Sequence, residues 1–132
     1  MSSRRDEERL ADVVDAIAAI RSHLTRGELS DGLIFDAVRV RLIEIGESVK
    51  QLDPKLVESE PNVQWTSAGG MRDWLAHHYF DTSRAVVEAT ITEDLPPLAE
   101  AVLRLQARLE LAKQHARDVP GLDRNDDRGL GR

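Results

Sequence analysis

Arg72, Asp73, His77 and Tyr79 bring a fixed cation, a carboxylate, an imidazole and a phenol into one short stretch. That stretch, Trp65 to Asp81, also carries both tryptophans, the single tyrosine, one of two phenylalanines and two of four histidines. In a chain that is 4% aromatic, this concentration marks where chemistry should be sought. An imidazole can move a proton near neutral pH, and a guanidinium can stabilise charge on a phosphoryl oxygen. Phosphate-ester chemistry is therefore one reading. The residue types alone leave another open, in which Arg72 pairs with a nearby acid while His77 and Tyr79 make core hydrogen bonds.

Helical spacing sorts these residues by face. At about 100° per residue, Asp73 and His77 share one face, and the carboxylate can hydrogen-bond the imidazole and fix its tautomer. Arg72 and Tyr79 lie about 20° out of register on a second face, whereas His77 lies about 140° round from Arg72. A straight helix would splay the cation and the imidazole apart. His78 points elsewhere again, and two adjacent histidines on a helix are poorly placed to share a metal.

Several alternatives lack their residues. There is no Glu-x-x-His for a di-iron bundle, no His-Glu-x-x-His, no phosphate-cradling glycine motif and no cysteine. Gly69-Gly70 is too short for a phosphate loop and reads as close packing or a helix start. The chain carries a net charge of −6 and a pI near 5.2, which argues against a general nucleic-acid binder. Any contact with RNA would have to be local, in a cleft with its own cations. The charged N-terminus does not read as a signal peptide, and no run approaches the roughly 20 apolar residues of a membrane span. Together with the missing cysteines, this leads to the expectation of a cytoplasmic protein.

The elements that must position the stretch are helical. At 132 residues, 41% hydrophobic and 32% charged, the chain reads as one domain with an ordinary core. Residues 5–26 carry a stripe of Leu10, Val13, Val14, Ile17, Ile20 and Leu24, with acids Asp6, Glu7 and Glu8 in the first turn. Ser30 is the expected N-cap of a second helix, striped by Ile34, Val38, Leu42, Ile45, Val49 and Leu52. Its Arg39, Arg41, Glu44, Glu47 and Lys50 read as a solvated face with paired charges. Gly46 suggests a close helix crossing.

Asp53-Pro54 ends that helix, an acidic connector runs to Glu60, and Pro61-Asn62 marks a further break. Beyond the aromatic stretch, Asp81 can cap a short helix with Ala85, Val86, Val87 and Ile91. Pro96 and Pro97 are expected to interrupt it and start the last helix, striped by Leu98, Val102, Leu105, Leu109 and Ala112. His23 and His115 read as surface residues. The expected fold class is all-α: an up-and-down four-helix bundle with an additional short helix. Residues 1–117 form the helical domain, and 118–132, with little apolar content, a flexible, disordered polar tail. No internal repeat is present.

Arg72-Asp-Trp-Leu-Ala-His77-His-Tyr79 has the form Arg-x4-His-x-Tyr. This resembles the signature of the HepT-like branch of the HEPN superfamily, small helical proteins of bacterial toxin–antitoxin modules. Ala37-Val38 through Ile45-Gly46-Glu47, then Trp65, Gly70-Met71-Arg72, Leu95-Pro96 and Leu98, follow in the order of that branch, so the resemblance covers roughly residues 8–112. It implies a metal-independent endoribonuclease toxin without a cofactor. The active site would lie in a cleft between the motif helices of a homodimer, with further assembly left open.

By carry-over, His77 would assist the ribose 2′-hydroxyl or protonate the leaving oxygen, and Arg72 would stabilise the charged phosphorane. Asp73 stands where the branch usually has asparagine; holding His77, it would raise the imidazole pKa and bias it toward the acid role. The resemblance also implies a partner, a cognate minimal nucleotidyltransferase (MNT-type) antitoxin that transfers AMP to the motif tyrosine, here Tyr79. The other reading of the same resemblance is a non-catalytic scaffold that binds a nucleotide or the nucleotidyltransferase.

Overall fold

A computed structural model describes residues 2–65 and 84–118. All described elements are helical: α1 (Ser2–Arg26), α2 (Gly32–Lys50), α3 (Pro54–Glu58), α4 (Arg84–Ala89), a π-helical turn (Thr90–Asp94) and α5 (Leu95–Asp118). The all-α class is as expected, and no strand occurs among the described residues. None of these helices is long and apolar enough to cross a membrane.

The core forms where the stripes meet. All six expected α2 stripe positions are buried, and they pack with Leu10, Val13, Ile17 and Ile20 of α1 and with Leu98, Val102 and Leu105 of α5. Full burial of each large aliphatic side chain contributes about 1.5–3 kcal/mol. The α1 stripe also draws in Ala16, while Val14 and Leu24 are only partly covered. Ala112 is exposed, so the core ends about two turns earlier on α5 than the periodicity suggests. Gly46 is buried on α2.

α1 runs antiparallel to both long partners. At one end Arg9 Nε donates to Gln51 Oε1 at 2.9 Å, and Lys113 Nζ meets Glu7 at 3.2 Å. At the other end a Cβ on Gly27 would come within 2.9 Å of Ile34 Cγ1, so glycine is what lets the turn close on α2. The N-cap of α2 is Asp31 rather than Ser30: its Oδ1 accepts from Leu33 N at 2.9 Å, with the extended backbone (ψ 120°) a cap requires. Asp53 caps α3 in the same way through Lys55 N, with Pro54 in the first turn.

The prolines do not break the path between α4 and α5. Pro96 and Pro97 cannot donate to the carbonyls of Thr92 and Glu93, which an uninterrupted α-helix would require. The chain instead widens by one residue: Leu95 N donates to Thr90 O, five residues back. Thr90 and Thr92 hydroxyls donate to the carbonyls of Val86 (2.9 Å) and Glu88 (3.0 Å), bridging the widened turn from outside the ladder. The expected interruption is thus a π-turn inside a continuous helical run.

Candidate functional site

Arg72, Asp73, His77 and Tyr79 lie outside the described residues, as do His78, Gly69, Gly70, Trp74, Phe80 and Asp81. What is described is the frame on either side of them. On the N-terminal side stands Trp65, half-buried and packed on the core, its Nε1–H donating to the backbone carbonyl of Glu60 at 3.0 Å. Its own backbone N–H donates to Val63 O at 3.0 Å. On the C-terminal side α4 inserts Val87, fully buried, into the same core. Both ends of the stretch therefore start from one packed body.

The Glu60 carboxylate is buried and meets two arginines that project from α5 one helical turn apart. Arg104 approaches with Nη2 at 2.8 Å from Oε1 and Nε at 3.1 Å from both oxygens; Arg108 Nη2 lies 3.1 Å from Oε2. Arg108 also donates to Ser59 O at 3.4 Å. The hydrogen bonds from Arg104 hold the Glu60 carboxyl below its ordinary value against the opposing effect of burial, and Arg108 adds to the lowering. The same pairing raises Arg104. Glu60 reads in the sequence only as the last acid of a connector, and its partners lie 44 and 48 residues away. The available signals were an acid directly before a proline and two arginines at helical spacing.

A cavity of about 310 Å³ opens between α2, the segment before Trp65 and the π-turn. Among the described residues, buried Leu42, Ile45, Leu95 and Leu98 form its apolar wall, and Asn62, Gln64, Thr90 and the exposed carboxylates of Glu93 and Asp94 are its polar groups. Such a lining suits a partly apolar group with hydrogen-bond donors and opposes a bare phosphate.

A family model described as "Ribonuclease HepT-like" matches residues 10–105. The chain belongs to this family. Among its HepT-like relatives is "Probable ribonuclease HepT" of Thermococcus cleftensis, 30% identical over 100 residues, covering 72% of this chain and 90% of the relative. "Putative RNase TTE0752" of Caldanaerobacter subterraneus subsp. tengcongensis is 39% identical over 64 residues, covering 48% of this chain and 57% of the relative. "Gamma-glutamylcyclotransferase and putative RNase MJ0434" of Methanocaldococcus jannaschii is 30% identical over 84 residues, covering 64% of this chain and 38% of the relative. These last two are thus matched over little more than half, and well under half, of their own length. No solved structure matches the chain.

The HepT-like match runs from the start of the α1 core stripe to its end on α5 and includes Arg72 to Tyr79, Glu60 and Arg104. Other charged residues singled out in the sequence take structural places. Arg39 is not on a solvated face: its side chain is 7% exposed, pairs with Asp36 at 3.3 Å and stacks over the Phe35 ring at 5.5 Å. Arg41 pairs with Glu44 at 2.9 Å on the outer face of α2. His115 is exposed and His23 half-buried near the end of α1. Among the described residues no group of three or more His, Asp or Glu side chains is arranged to hold a metal.

Proposed function

We propose that this HepT-like protein is a metal-independent endoribonuclease, the toxin of a toxin–antitoxin module. The observation that carries the reading is the family match, which spans the ordered set Arg72, His77 and Tyr79. In the proposed reaction the ribose 2′-oxygen attacks the adjacent phosphorus as His77 either takes its proton or gives one to the departing 5′-oxygen, water serving as the partner for the other proton. The phosphorus–5′-oxygen bond breaks, leaving a 2′,3′-cyclic phosphate and a 5′-hydroxyl. Arg72 stabilises the charged oxygens of the phosphorane, and Asp73 orients the imidazole. The nucleophile belongs to the substrate, so the reaction requires no metal to generate it.

The spacing of Arg72 and His77, which a straight helix would splay by about 140°, supports a composite site, with motif segments of two protomers facing each other. Tyr79 is the acceptor of AMP from the cognate nucleotidyltransferase. The added bulk and phosphate charge would oppose entry of an RNA phosphate.

Incubating RNA with the protein in EDTA tests the catalytic assignment. Wild type is expected to cut, and Arg72→Ala or His77→Ala to lose at least about 100-fold in rate. Intact RNA with wild type, or equal cutting by both variants, sinks it. The carboxylates at the cavity and the charge of −6 weigh against holding RNA; the second reading is a non-catalytic scaffold for a nucleotide or the nucleotidyltransferase, of which the protein partner suits these carboxylates better than an anionic nucleotide. That reading predicts a stable complex without cleavage.

A further inference from the structure

Glu60 has a place that the proposed chemistry does not use. A buried carboxylate is costly unless it is paired and fully hydrogen-bonded, and here two guanidinium groups provide both. Charge-assisted bonds of this kind are roughly twice as strong as neutral ones. They tie the connector after α3 to α5, two elements far apart in sequence.

The backbone of Glu60 is constrained as well. Its N–H donates to Val57 O at 3.0 Å, and the following Pro61 restricts the residue before it to extended conformations. The carbonyl held in this way receives the Trp65 indole N–H at 3.0 Å. A path of short polar contacts therefore runs from α5 through Arg104 and Arg108 to Glu60, and from its carbonyl to Trp65. Seven residues beyond Trp65 is Arg72.

We propose that Glu60, clamped by Arg104 and Arg108, is a positioning residue for the nuclease reaction. It fixes Trp65 and so sets where the segment bearing Arg72 and His77 departs from the core. The inference rests on the ribonuclease reading but has a readout of its own. Loss of the carboxylate charge leaves the core stripes and the Val57 bond in place but weakens the tie of Glu60 to α5, loosening one of the restraints on the carbonyl that holds the indole. A displacement near 1 Å at a reacting group can cost on the order of 100-fold in rate, so a small release at Trp65 should be felt in turnover.

The test uses the full chain, with Glu60→Gln read in three ways. The indole N–H signals of ¹⁵N-tryptophan-labelled protein, assigned with Trp74→Phe, report the Trp65 bond directly. Solvent exchange of the Trp65 signal is expected to quicken about tenfold as its opening becomes easier. The kcat for RNA is expected to fall at least about tenfold with KM nearly unchanged, as lost positioning predicts. Glu60→Asp, which keeps the charge, should recover part of both.

Unchanged indole exchange in Glu60→Gln overturns the proposal, as does faster exchange with full kcat. If wild type cuts no RNA, the nuclease reading fails, and the indole exchange then decides separately whether the clamp holds Trp65. Should Glu60→Gln not fold, Arg108→Met keeps the Arg104 pair and is expected to show the same changes at smaller size. No change in that variant also overturns the proposal.

Discussion

The carboxylate of Asp6, buried in the first turns of α1, accepts the backbone N–H of Asp53 at 3.1 Å. Asp53 in turn caps α3 through Lys55 N at 2.9 Å. An acid that reads in the sequence as a helix-dipole partner thus anchors the connector that leads to Trp65. Asp6→Ala removes the acceptor and leaves a donor without its partner, which should destabilise the fold by about 1–3 kcal/mol. Asp6→Asn keeps an oxygen in place and should lose less. Urea denaturation of both variants measures the difference.

Glu60 should give stability a pH dependence of definite sign. Its carboxyl is held below the ordinary value, first by the Arg104 hydrogen bonds, while Arg104 stays charged throughout. The stabilisation is therefore complete above the usual carboxylate range and is lost as pH falls through the lowered folded-state value. Glu60→Gln should melt below wild type at neutral pH, and the two curves should converge on acidification. A gap that stays constant down to strongly acidic pH would exclude this origin.

A composite site makes a prediction about mixtures. If the proposed site is shared between two protomers, Arg72→Ala and His77→Ala should each be inactive alone, yet a heterodimer of the two should rebuild one of its two sites. After random exchange about half the dimers are mixed, so about one quarter of wild-type RNA cleavage should return. If one chain supplies both groups to a site, mixing restores nothing.

The proposed modification at Tyr79 can be tested separately from catalysis. Co-expression with the cognate nucleotidyltransferase should add AMP-sized mass increments that disappear in Tyr79→Phe. Modified protein should cut RNA at least about tenfold more slowly, since a phosphate beside the cleft repels the substrate. Increments that persist in Tyr79→Phe would place the modification on another residue.

The periodic parts of the fold were legible in the sequence. Ile34, Val38, Leu42, Ile45, Val49 and Leu52 are buried as their spacing requires, because a single stripe facing a neighbour has only one stable orientation. Contacts between distant segments were not legible. Nothing local distinguishes Glu60 from its acidic neighbours until Arg104 and Arg108 reach it from α5, and Arg39 looks solvated until Phe35 and Asp36 cover it. For the candidate site, types and spacing were readable and led to the HepT-like family. Whether Arg72 and His77 meet, within one chain or across two as proposed, is a matter of three-dimensional placement that spacing alone does not encode.

The widened turn at Thr90–Asp94 also bears on insertions and deletions. Val87 and Leu95 both face the core although they are eight residues apart, a separation that turns about 80° off line in a regular α-helix. The extra residue of the π-turn restores the alignment. Deleting one residue there, with Pro96 and Pro97 replaced by alanine, would give a regular helix that still points Val87 inward. Replacing the prolines without the deletion would instead swing Val87 around the helix axis, away from the core. In this family member, the residue count between α4 and α5 is thus a rotational setting for α4 against the core.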